Sequence, residues 1–153
     1  MAEDKDALLK LYKETREELH SAVNGLSDES MVETSLDGWS VKDHLAHLAL
    51  WDDVLASEVA RISAGHQSAW RTTDEQGTAY NELGYELRRG LSLKQVRWEL
   101  ESSRQRLLDA IASVSARGLD ASLYGEAELR SEHEREHAGW ITSHQKRTLA
   151  SRQ

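Results

Sequence analysis

Not one of the 153 residues is a proline. A chain rich in Ala, Leu, Glu, Arg and Gln, with no residue that locks φ and deletes a backbone donor, is free to run long helices. Its apolar residues recur at three- and four-residue steps, and no segment of useful length alternates with period two, so helices are expected and strands are not. A hydrophobic share of 39% excludes a disordered chain, and the length suffices for a single domain with a sizeable core. No run approaches the ~18 apolar residues of a membrane span. Residues 1–6 show no basic region leading into an apolar one, so no secretory signal is expected. Cysteine is absent, which removes disulfides, thiolate nucleophiles and cysteine-ligated zinc, and agrees with a cytoplasmic location.

Acidic residues outnumber basic ones 27 to 19, for a net charge of −8, and no basic run, Lys146-Arg147 included, exceeds two residues. Counterion release needs Lys and Arg gathered on one face, so neither nucleic acid nor an anionic membrane surface is expected as a partner.

The spacing predicts four long helices. The first covers residues 4–23, with Leu8, Tyr12, Leu19 and Val23 on one stripe and Gly25 ending it. The second opens at Ser40, where Asp43 completes a capping-box-like Ser-x-x-Asp, and runs to about Ser63 with Leu45, Leu48, Leu55 and Ile62 inward and Gly65 behind it. Residues 65–90 hold four glycines, with room for a short helix around Tyr80, Leu83 and Leu87. They are too long for a turn and suit a crossover between two parallel helices. The third helix is capped by Ser92, with Gln95 at the matching position, and carries Leu93, Val96, Leu100, Leu107, Ile111 and Val114. Residues 117–125 form a second loop, and the fourth helix runs from about Glu126 to Leu149. The expectation is one all-α domain over residues 1–153, a four-helix bundle with a long crossover between its second and third helices.

At ~100° per residue, Leu129, His133, His137, Trp140, Ile141 and His144 share one face of the fourth helix. His133 and His137 therefore point inward one turn apart, close enough to share a metal ion. The second helix adds His44 and His47 beside Leu45, Leu48 and Trp51. A lone inward histidine is usually a satisfied core residue, but neutral imidazoles without partners each cost roughly 1–3 kcal/mol. A shared divalent cation removes that cost. His20 and His66 read as ordinary surface residues, and His144, about 10 Å beyond His137 at 1.5 Å per residue, lies too far along the helix to complete a compact shell.

Residues 133–137 spell His-Glu-Arg-Glu-His, the zincin metalloprotease pattern, in which Glu134 would be the general base. The extended form places Gly and His seven and ten residues after the first His, whereas Gly139 and His144 fall at six and eleven. With no strand to hold a peptide, the match is read as coincidence.

The stretch from Gly38 to Asp52, Gly-Trp-Ser-Val-Lys-Asp-His-Leu-Ala-His-Leu-Ala-Leu-Trp-Asp, is similar to the start of the second helix in the DinB-like (DinB/YfiT) superfamily of metalloenzymes, a Trp-Ser-x-(Lys/Glu)-(Asp/Glu)-x-Leu-x-His-Leu pattern. The segment Glu132-His-Glu-Arg-Glu-His-Ala-Gly-Trp-Ile141 resembles that family's fourth-helix His-x3-His. The resemblance implies a divalent metal, nickel or zinc, held by His47, His133 and His137. Periodicity by itself favours His44 over His47 as the more central residue, so the choice between them stays open, and His44 is also a candidate to line the substrate pocket with Trp51 and Trp140. Trp39 is a further candidate for the apolar lining. Asp43 and Asp52 are candidate orienting carboxylates for the imidazoles, although Asp43 already explains itself as a cap. Glu126 and Arg130 sit where a pocket mouth would be, but a solvated helix end is the simpler account of them.

The resemblance implies a range of chemistries: transferases and isomerases that use low-molecular-weight thiols such as mycothiol, bacillithiol or glutathione, and proteins that disarm reactive natural products. Two functions follow. One is a metal-dependent enzyme activating a thiol cosubstrate or water against a small-molecule electrophile. The other is a module that sequesters a small molecule without turnover. A structural homodimer-forming bundle is a third, and pairing as a homodimer is expected in any case. The family's name points to DNA damage, but a charge of −8 gives no support for contact with DNA.

Overall fold

The computed structural model describes residues 2–70 and 73–151, with side chains through residue 147. Six α-helices are found among them: α1 (Lys5–Val23), α2 (Asp28–Val32), α3 (Val41–Ser63), α4 (Asp74–Arg88), α5 (Leu93–Ala112) and α6 (His133–Ser151). Three 3-10 turns fill residues 117–127, and pairing outside helices is limited to isolated bridges.

The helix starts follow side-chain caps. Asp4 accepts from Ala7 N–H at 2.8 Å, and Ser40 and Asp43 form a reciprocal capping box (3.1 and 2.9 Å). Ser92 caps α5 through Gln95 N–H at 3.1 Å, and only that half of the expected box forms. At the end of α3, Gly65 takes φ +95° so that Gly65 and His66 N–H reach back to the carbonyls of Ile62 and Arg61, a Schellman stop that a Cβ would strain.

α1, α5, α3 and α6 close a ring of neighbours. Asp52 meets Arg104, Asp53 meets Arg106 and Ser63 meets Ser115, so α3 and α5 run parallel, as the length of the crossover implied. Tyr12 meets Leu129, Arg16 meets Glu134 and Glu18 meets Arg135, so α1 and α6 also run parallel. The two pairs oppose each other: His44 faces His137, and His47 faces His133.

Two boundaries differ from the sequence expectation. The crossover contains a 15-residue helix, α4, started by a Thr73–Gln76 capping box and moored where Lys42 Nζ donates to the Arg89 and Leu91 carbonyls (3.0 and 2.7 Å). The last helix begins at His133 rather than near Glu126. Gly125, at φ +41°, presses on the crossover, where a Cβ would lie 2.5 Å from the Trp70 carbonyl oxygen, and Glu126 N–H donates to that same oxygen at 3.1 Å. Downstream, the Tyr12 hydroxyl donates to the Leu129 carbonyl (2.6 Å) and accepts from Ser131 N–H (3.1 Å), holding residues 129–131 out of helix. Tertiary bonds here override local helix propensity.

The interior is two apolar clusters separated by a charged layer. One cluster is built from residues such as Leu19, Leu45, Leu48, Leu100 and Ile141, and the other from Leu8, Tyr12, Leu55, Leu107 and Leu129. Between them lie Arg16, Asp52, Arg104 and Glu134, each no more than 7% exposed and each from a different long helix. Arg104 grips Asp52 with two bonds (3.0 and 2.9 Å) and stands 2.9 Å from Glu134. Arg16 donates to Glu134 at 2.8 Å, to Asp52 at 3.0 Å and to the Leu100 carbonyl at 2.9 Å. Two cations and two anions leave no net charge, and most of their polar atoms are hydrogen-bonded, the condition under which buried ions are tolerated. Glu134→Leu removes one partner and strands a buried guanidinium, so it is expected to lower stability by roughly 3–5 kcal/mol in urea unfolding. A loss below about 1 kcal/mol, the worth of an exposed pair, would show that the layer does not bind the helices together.

Candidate metal centre

α3 delivers His47 and α6 delivers His133 and His137 to one point. Ser131 Oγ accepts from His133 N–H at 3.2 Å, which starts α6 on the first of the two. The Nε2 atom of His133 lies 3.3 Å from Nε2 of His47 and 2.9 Å from Nε2 of His137. With metal–nitrogen bonds of about 2.05 Å, ligand nitrogens stand about 2.9 Å apart at a right angle and about 3.3 Å apart at a tetrahedral one. The three imidazoles thus have the donor type and the spacing to hold a divalent ion, and among the described residues no other His, Asp or Glu group converges in this way.

Burial keeps these rings neutral rather than cationic. Desolvation, followed by the neighbouring imidazoles, pushes His137 down to about 2 and His47 to about 3, and desolvation also lowers His133 and His44. Neutral imidazole is the form that binds metal. Folded-state values below the ordinary 6.5 mean that the unfolded chain binds more protons. The stability they confer is complete above about 6.5 and is lost as pH falls toward about 3. The metal-free protein is therefore expected to melt progressively lower between pH 7 and 5, and His137→Leu to flatten that slope. Equal slopes in the two proteins would mean that the ring is not buried neutral.

His47 and His133 open onto a cleft of about 540 Å³ that also reaches Trp51, Asn81, Glu126 and Arg130. Trp51 forms part of its wall and donates its indole N–H to Asn81 Oδ1 at 2.8 Å, tying α3 to α4. Glu126 and Arg130, read more simply as a solvated helix end, line it, and Glu128, Glu132 and Glu136 join them, which makes the cleft's lining acidic. His44 and Trp140, expected in the substrate pocket, do not line this cleft. His44 lies one turn before His47 on a helix antiparallel to α6, so it meets His137 instead, with its Nδ1 2.7 Å from His137 Nδ1. Trp140, half exposed, sets its ring edge-on to His137 at 4.6 Å and to His44 at 6.4 Å. Trp39 packs edge-on against His44 and His47 and is backed by Tyr85 of α4, stacked at 5.5 Å.

The two carboxylates expected to orient imidazoles serve elsewhere. Asp43 accepts from Ser40 N–H in the α3 cap, and Asp52 is held by Arg16 and Arg104, which occupy both its oxygens. His20 pairs with Glu101 at the surface, His66 is exposed, and His144 is half-buried further along α6, outside the triad. Sequence reasoning missed Arg16, Arg104 and Asn81. The signal for the arginines was present, because each interrupts an apolar stripe at helical spacing: Arg16 between Tyr12 and Leu19, Arg104 between Leu100 and Leu107.

The sequence profile of the DinB superfamily matches residues 11–147. The chain belongs to that superfamily. The crystal structure of an uncharacterised protein from Escherichia coli UTI89 shares the DinB fold with a TM-score of 0.78 over 95% of this chain and 94% of that one. At 17% identity that likeness speaks for the fold alone. No curated protein matches the chain.

Proposed function

We propose that this DinB-superfamily protein is a divalent-metal-dependent enzyme that activates water or a low-molecular-weight thiol for attack on a small electrophile. The observation that carries the reading is the convergence of three neutral imidazoles beside an open cleft, with two of them facing it. Three protein ligands leave coordination positions free, which is the arrangement of catalytic rather than structural sites. Nickel or zinc suits an all-imidazole donor set. When bound, such an ion supplies Lewis-acid polarisation and lowers the pKa of a coordinated nucleophile.

The remaining work falls to the chain. His47, His133 and His137 would hold the ion beside the cleft. Trp51, fixed by Asn81, provides an apolar wall against which a small organic substrate is oriented and shielded from water. The chain has no cysteine, so any thiol arrives as a cosubstrate. Glu126, Glu128, Glu132 and Glu136 outnumber Arg130 around the cleft, which favours uncharged electrophiles and thiols over anionic ones.

Elemental analysis of the untagged protein is expected to find about one equivalent of nickel or zinc per chain at this single three-imidazole site, and none in a His133→Ala/His137→Ala double variant. Turnover found in a screen of thiols and electrophiles should disappear with a chelator and return on reloading. A wild-type protein that takes up none of nickel, zinc, manganese or iron would sink the enzyme reading and leave the cleft as a small-molecule binding site.

A further inference from the structure

His44 stands behind His137 without touching the cleft, and its two ring nitrogens are in unequal situations. Nδ1 lies 2.7 Å from Nδ1 of His137, while Nε2 is buried with no hydrogen-bond partner. Two imidazole nitrogens at that distance share one proton, and its location decides what the other side of His137 can do. If the proton is on His44, His137 carries its own on Nε2, the atom that faces His133, and cannot ligate. If the proton is on His137 Nδ1, donated to His44, the Nε2 lone pair of His137 is free to point into the triad.

We propose that His44 is a positioning residue that fixes His137 in its ligating tautomer by accepting the Nδ1 proton, so that the metal centre is a four-histidine unit with three ligands and one support. The inference rests on the metal-centre reading above. Metal-bound histidines ordinarily donate their second N–H to a carboxylate or a carbonyl. The two carboxylates expected to orient imidazoles are unavailable for that role, because Asp43 is engaged in the α3 cap and Asp52 in the charged layer. The arrangement requires His44 to carry its own proton on the orphaned Nε2. An unpartnered buried donor is a burden that a histidine retained only for packing would not bear, since leucine fills similar space without it.

Zinc affinity measured by chelator competition on wild type, His44→Leu and His44→Asn tests this, alongside helical content and melting temperature of each metal-free protein. His44→Leu is expected to bind zinc about 10–100-fold more weakly. In His44→Asn the amide oxygen can accept near the position of Nδ1, so it should recover most of that loss. Nitrogen-15 imidazole spectra of the zinc-loaded wild type should show His137 protonated at Nδ1 and His44 at Nε2. Folded variants that bind zinc as tightly as wild type, or an asparagine variant no better than leucine, overturn the proposal. So does a spectrum with the proton on His44 Nδ1, and that measurement decides the matter even if His44→Leu does not fold. A wild type that binds zinc while one of these results appears overturns this inference alone; a wild type that binds none overturns the metal-centre reading with it.

Discussion

The four-charge layer of Arg16, Asp52, Arg104 and Glu134 is the constraint on which the site depends. Apolar side chains alone tolerate sliding and rotation of one helix on another, because burial is non-directional. Charge-assisted bonds of 2.8–3.0 Å from forked guanidinium groups do not. Each long helix contributes one member, so the layer sets the height and rotation of all four together. Glu134 directly follows His133, and Asp52 lies five residues beyond His47. Anchoring Glu134 to α1 and α5 therefore aims His133 and His137 at α3, and anchoring Asp52 turns His47 toward them.

The imidazoles gain from the same arrangement. The layer pairs both of its carboxylates with arginine, and neither hydrogen-bonds an imidazole of the triad. Burial then leaves the four rings neutral, with desolvation the largest cause in each case. Indole rings from Trp39, Trp51 and Trp140 surround them edge-on, screening the rings from water while adding no competing acceptor. Neutral donors in such surroundings suit a cation.

Much of this was legible in the chain itself, and where it was not the cause is tertiary. The α3 start was readable because Ser40 and Asp43 are a local device, and the parallel run of α3 and α5 followed from the length between them. The start of α6 was not readable, because residues 126–132 have helical composition and are held out of helix by Trp70 and Tyr12, far away in sequence. The His-x3-His pair was visible from periodicity, whereas the division of labour between His44 and His47 was not. Both lie inward on α3, and only the antiparallel placement of α6 puts one opposite His133 and the other opposite His137.

The His-Glu-Arg-Glu-His run shows how one short segment serves two ends. In a zincin the glutamate must reach the space beside the metal to act as a base. Here Glu134 is 6% exposed and bonded to Arg16 and Arg104, on the side of α6 turned toward α1 and α5. Consecutive helical residues point about 100° apart, so although His133 and Glu134 both border the cleft, only His133 joins the imidazole triad, while the Glu134 carboxylate is turned to the two arginines. The histidines join His47 in the triad, and the glutamate, although it borders the cleft, is held in the charged layer. The motif is thus shared between the imidazole triad and helix registration, and with its carboxylate held by both arginines Glu134 is not free to serve as the base that a zincin glutamate provides.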